Sequence, residues 1–171
     1  MDILVIRSAS RIFHKTVKQL KREFPGAAIT VIATEDARSE LEQDVDISTL
    51  VTLSSTGRMK LRHLGLTRLL ALRKKGFELG VSLYNYESGV GYSNIDFMVW
   101  AIAPERHRGY NVYGQYLEGT KKGLIGRLLR EKGSFLFIVL NSVFTILLFV
   151  LITIGILFEW LTRRVSKSPG R

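Results

Sequence analysis

The tetrapeptide Ser8-Ala9-Ser10-Arg11 separates the apolar run Ile3-Leu4-Val5-Ile6 from a stretch with helical spacing. Backbone N–H groups at a helix start, with Arg11 beside them, could gather around an anion there. A plain capped turn, with Ser8 or Ser10 as N-cap, is the simpler reading. The turn lacks a G-x-G-x-x-G fingerprint, so a dinucleotide is not expected, and no cofactor is. The three histidines, His14, His63 and His107, are too scattered to suggest a metal site or a triad. His14 is the candidate base, because it follows the serine loop closely enough to meet a substrate docked there. A solvated histidine is the alternative.

A second polar segment, YNYESGVGYSN from Tyr84 to Asn94, carries two glycines that permit tight backbone. Tyr84, Asn85, Tyr86, Tyr92 and Asn94 offer hydroxyl and amide groups suited to sugars, and an ordinary connecting loop is the alternative. In KLRHLGLTRLLALRKK, from Lys60 to Lys75, Leu61, Leu64, Leu69 and Leu72 suggest a core side, while Arg62, Arg68, Arg73, Lys74 and Lys75 suggest a cationic one. That cationic side is either a solvated face or a membrane-facing one.

These residues need a scaffold, and the chain alternates between two periodicities. Short apolar runs at residues 2–7, 29–33, 50–53 and 77–84 predict buried strands. Between the first two, Ile12, Phe13, Thr16, Val17 and Leu20 recur at helical spacing opposite Lys15, Lys18, Lys21 and Arg22. Helices are also predicted around 37–42, over 60–75 as a single basic helix, and over 94–103, with a short edge strand at 106–110. Such alternation predicts an α/β class, a single Rossmann-like domain with a parallel sheet and crossover helices. Ligands of such sheets bind outside the carboxyl ends of the strands, which selects the loops 8–11, 33–36 and 84–91.

From Ser134 to Leu161 the chain reads SFLFIVLNSVFTILLFVLITIGILFEWL. Its apolar core, 135–158, would form a helix about 36 Å long, enough to cross a hydrocarbon layer of about 30 Å. One C-terminal transmembrane helix is therefore expected, with Phe135, Phe137, Phe158 and Trp160 as interfacial aromatics. The division reads as a domain at 1–118, a basic juxtamembrane segment at 119–133, the transmembrane helix at 134–161 and a basic tail at 162–171. Lys121, Lys122, Arg127, Arg130 and Lys132 are the expected membrane-surface residues. The formal charge is +10, which suits an anionic membrane; with no base-reading motif, nucleic acid is not an expected partner. There is no cysteine, which excludes disulfides and thiolate chemistry. With no signal-peptide pattern at the N-terminus, the domain is expected in the cytoplasm, at the inner face of a single-pass cytoplasmic-membrane protein.

The segments ILVIR, KQLKREFPGAAITVIA, RKKGFELGVSLYN and RHRGYN, in that order and spacing between Asp2 and Asn111, resemble the N-terminal half of glycosyltransferase family 9, the heptosyltransferases of lipopolysaccharide core synthesis. The resemblance implies the acceptor-side half of a two-domain GT-B fold in a bacterial cell envelope. Where that family continues into a nucleotide-sugar domain, this chain enters its apolar segment. The family's strand-one loop carries a Gly-Asp pair whose aspartate is the catalytic base, whereas SASRIFHK holds no acidic residue. The expected role is thus a membrane-anchored acceptor-side subunit, inactive alone, working with membrane lipids, a donor-domain glycosyltransferase chain and a glycolipid acceptor. A non-catalytic membrane scaffold derived from the same fold is the alternative.

Overall fold

The computed structural model describes residues 1–54, 59–87 and 89–166, excluding the side chains of 132, 134–136, 161 and 163–166. The Lys132 side chain and the tail from 167 onward, both assigned roles above, lie outside the described residues. Two compact units divide at residue 131, at Met1–Glu131 and Lys132–Arg171.

The first unit is built on β1 (Asp2–Ile6), α1 (Ser10–Glu23), β2 (Ala28–Thr34), α2 (Arg38–Leu41), β3 (Thr49–Leu53), α3 (Leu61–Leu64), α4 (Leu66–Lys74), β4 (Leu79–Leu83), α5 (Ser93–Ile102), β5 (His107–Tyr110) and β6 (Tyr116–Gly119). The sheet order is β3-β2-β1-β4-β5-β6. All neighbours are parallel except β5 and β6, which pair antiparallel with Arg108 opposite Glu118. Side-chain alternation along β1 feeds two cores: Ile3 and Val5 pack with Phe13, Val17 and Leu20 of α1, while Leu4 and Ile6 pack with Met98, Val99 and Ile102 of α5. Three layers result, with α1 and α2 on one face of the sheet and α3, α4 and α5 on the other. Gly80 lets α5 come close, since a Cβ there would collide with Val99 and Ala103.

Two expectations need correction. The basic helix expected over 60–75 is broken at Gly65, whose φ of +75° only glycine adopts without strain, leaving α3 and α4. The strand expected at 106–110 forms as β5 but is not the edge, because β6 pairs outside it.

Helix α6 spans Lys121–Ser166. Its residues Phe137–Trp160, 24 in number with a mean hydropathy of 2.7, are long and apolar enough to cross a membrane, and none of the most apolar stretch is buried. Thr145 and Thr153 return their hydroxyl protons to the carbonyls of Asn141 and Phe149, each at 2.8 Å, so these two polar residues leave no hydroxyl proton unpaired.

Candidate functional site

Because α1 and α5 leave from opposite faces of the sheet, the adjacent carboxyl ends of β1 and β4 open a crevice between them. A cavity of about 420 Å³ lies at this point. Arg7, Ser8 and Ser10 supply its wall from the end of β1 and the start of α1, Thr34 from the end of β2, Met59 from the approach to α3, and Tyr86, Val90, Gly91, Tyr92, Asn94 and Ile95 the rest. A neighbouring depression of about 300 Å³ is lined by Ser10, Arg11, Asn85, Tyr86 and Val112. Ser10 and Tyr86 border both.

The rim residues differ in how far they are committed. Ser8 donates its hydroxyl proton to the Leu83 carbonyl at 2.5 Å, tying the two strand ends together. Asn94 donates to the Met59 carbonyl at 2.6 Å, fixing the far wall. Arg7 binds Glu40 at 2.8 Å, and its buried Nε has no hydrogen-bond partner among the described residues. Ser10, Asn85 and Tyr86 are exposed. The Tyr84, Tyr92 and Tyr86 rings form a ladder from core to rim, with centroids 5.4 and 6.5 Å apart. The described lining therefore presents hydroxyl, amide, guanidinium and aromatic groups, and no carboxylate or imidazole. Such a wall can orient a polar, uncharged or anionic molecule, but offers no ordinary general base to take a proton from it.

Tyr84 corrects its assignment as a ligand-facing residue. It is fully buried, and its hydroxyl donates to Asp96 Oδ1 at 2.5 Å. Burial, reinforced by Asp96, pushes the Tyr84 phenol well above its ordinary range, so it stays protonated. Asp96, 1 % exposed, also accepts from Arg127 Nη1 at 3.2 Å and lies 3.4 Å from His107 Nε2, which contacts Ser82 Oγ at 2.8 Å. Burial holds the His107 pKa below its ordinary value, against the pull of Asp96 and with the help of Arg127. Ser82, His107 and Asp96 are the residue types of a hydrolytic triad, yet serine and aspartate meet the same imidazole nitrogen. A relay needs one on each. Gly109 and Gly119 make room for this packing, since a Cβ at Gly109 would strike the Tyr84 ring and one at Gly119 the His107 ring.

Arg127 is a second correction, because its tie to Asp96 takes it out of the set available to a membrane surface. Glu131 accepts the Gly91 N–H at 2.7 Å and the Ser93 hydroxyl, placing a carboxylate at the start of α5. These contacts extend the first unit past the boundary expected at 118. Lys121, Lys122 and Arg130 are exposed.

The third correction is His14. Its Nε2 lies 2.9 Å from Glu40 and its Nδ1 3.1 Å from Asp44, so neither nitrogen is left to take a substrate proton. The His14 contact, more than that of Arg7, keeps the Glu40 carboxyl below its ordinary range against slight burial. Sequence reasoning missed Arg7 and Met59 as lining residues. Arg7 was findable, as the first polar residue after a buried strand, whereas Met59 reaches the cavity only through the path of the chain before α3.

No family model matches the chain, and no curated protein does. Among solved structures, ADP-heptose lps heptosyltransferase II of E. coli aligns at 18% identity and a TM-score of 0.47, over 74% of this chain and 33% of that one. A glycosyl transferase family 9 structure from Veillonella parvula DSM 2008 aligns at 17% identity and a TM-score of 0.47, over 64% and 31%. The chain thus spans about a third of the length of either. What the fold itself establishes is an α/β domain with a parallel-dominated sheet and a crevice at its switch point.

Proposed function

We propose that this protein is a membrane-anchored, saccharide-binding counterpart of the acceptor half of a family 9 glycosyltransferase, held by Phe137–Trp160 and dependent on a separate chain for the nucleotide sugar. The observation that carries the reading is the cavity of about 420 Å³ at the β1–β4 crevice, walled by hydroxyl, amide and tyrosine side chains. Tyrosine faces pack against the apolar faces of sugar rings while hydroxyl and amide groups match sugar hydroxyls. A cleft completed by a second chain would supply the donor site and a base. Cell-envelope glycolipids are the acceptor class, reached from the cytoplasmic face of the membrane.

The second reading, a non-catalytic scaffold, is favoured by two observations: the described lining lacks a carboxylate, and His14 is held between Glu40 and Asp44.

The test reconstitutes the full chain in nanodiscs with a glycolipid extract from its own membrane and a radiolabelled nucleotide sugar. The chain alone should transfer no label yet bind the glycolipid fraction, and adding the co-purified membrane proteins should start transfer. Turnover by the chain alone would overturn both readings. Binding without transfer under any addition selects the scaffold.

A further inference from the structure

The cations of this domain fall into two groups. Several arginines are paired, as Arg7 with Glu40, Arg38 with Glu35 and Glu42, and Arg108 with Glu23. Around α3 and α4 the pattern is different. From residue 47 through residue 77 the sequence has seven Lys and Arg and not one Asp or Glu. Among the described residues, Arg62, Arg68, Arg73 and Lys74 are exposed and none forms an ion pair. Between them, Leu66 and Leu70 stand 71 % and 57 % exposed, one turn apart on one face of α4, with Arg73 and Lys74 continuing that face in the next turn.

Helix α1 is the internal control. It too is cationic, with Arg11, Lys15, Lys18 and Arg22 exposed, but its large apolar residues Ile12, Phe13, Val17 and Leu20 are all buried. That is a solvated face. On α4 the helix turns apolar side chains outward instead, and only Leu72 is fully committed to the core. Exposed leucines framed by unneutralised cations satisfy both parts of an interfacial surface, apolar insertion and charge attraction.

We infer that the α3–α4 face docks on an anionic bilayer surface, with Leu66 and Leu70 entering the headgroup layer and Arg62, Arg68, Arg73 and Lys74 lying against lipid phosphates. Charge complementarity selects this occupant. A cationic face of this density repels a second copy of itself, and a chain carrying an apolar helix of 24 residues meets lipid at high effective concentration. The inference stands apart from the identity of the cavity's ligand.

The absence of cysteine makes the test direct. The full chain carrying Leu70→Cys is labelled with an environment-sensitive fluorophore and reconstituted in nanodiscs of phosphatidylcholine alone or with phosphatidylglycerol. A Val45→Cys label, at a site 96 % exposed, serves as reference. The Leu70 label should shift to the blue in anionic discs and not in zwitterionic ones, while the Val45 label reports water in both. The shift should be lost in the R62Q/R68Q/R73Q/K74Q variant, and in the unsubstituted face it should collapse at high salt, which serves should the variant not fold. An unshifted label in anionic discs would overturn the inference. So would an equal shift in both lipids, or one that appears only when each disc holds two copies. Incorporation into discs reports separately on the membrane anchor.

Discussion

Asp96 and Tyr86 both follow β4, ten residues apart, and they have met opposite fates. Asp96 lies 1 % exposed with Tyr84, Arg127 and His107 around it, whereas Tyr86 stands 65 % exposed on the cavity rim, its ring set edge-on against that of Tyr92. The residue types that usually signal catalysis, an aspartate, a histidine, a serine and a tyrosine, are spent here on joining β4, β5, α5 and α6. The residues left open to a ligand are of types that bind without reacting. Chemistry-bearing side chains are thus a poor guide to a site until burial is known, since a buried group with every partner satisfied is already at work.

The sharpest way to break this contrast is Asp96→Ala. Removing the shared carboxylate strips Tyr84, His107 and Arg127 of their common acidic partner, with Ser82 still held against His107. Breaking a buried pair from one side costs about 3–5 kcal/mol, and because Arg127 is 27 % exposed the lower end of that range is expected. Denaturant titration of the full chain in detergent measures it. A loss no larger than that of a surface substitution would mean that the cluster is not a structural keystone.

A smaller effect of known sign comes from His107. Burial lowers its pKa in the folded state, so the unfolded chain binds a proton that the folded one resists. Stability should be complete above the unfolded value of about 6.5 and decline as pH falls from there toward the folded pKa. Thermal melts of the full chain should show that slope, and His107→Gln should flatten it. A slope of opposite sign would mean that Asp96 outweighs burial.

Much of the sheet was legible in the sequence, because buried parallel strands announce themselves as apolar runs and the α1 stripe fixes its face. The turn that breaks α3 from α4 was hidden, since Gly65 in a leucine-rich frame reads as an ordinary helical glycine until its φ is known. Strand β6 was hidden too, being four residues with no alternation and held by its partner β5. Within the site, the loops at the carboxyl ends of the strands were foreseeable from topology, and Ser8, Ser10, Tyr86 and Asn94 do meet around one cavity. What the sequence hid was orientation. Tyr84 and Tyr86 are two residues apart on neighbouring backbone, yet one ring fills the space left by Gly89 and Gly109 and the other faces solvent. Nothing local distinguishes them; the glycine at 109 comes from another strand.

Tyr86→Ala is therefore the mildest and most discriminating test. A tyrosine this exposed contributes little to folding, so stability should change by less than about 0.5 kcal/mol. Its loss removes the outermost ring of the ladder from the cavity. If ring stacking holds the saccharide, the affinity of the full chain for the glycolipid fraction should fall by about 2- to 10-fold, the equivalent of one aromatic contact. Saturation-transfer NMR in nanodiscs reads both the affinity and which sugar protons lie against the rings. Tyr86→Phe should keep most of that affinity, because the face of the ring and not its hydroxyl makes the contact. Unchanged binding in Tyr86→Ala would remove the rim from the site. A stability loss comparable to that of Asp96→Ala would erase the distinction between a residue held for the fold and one held for a ligand.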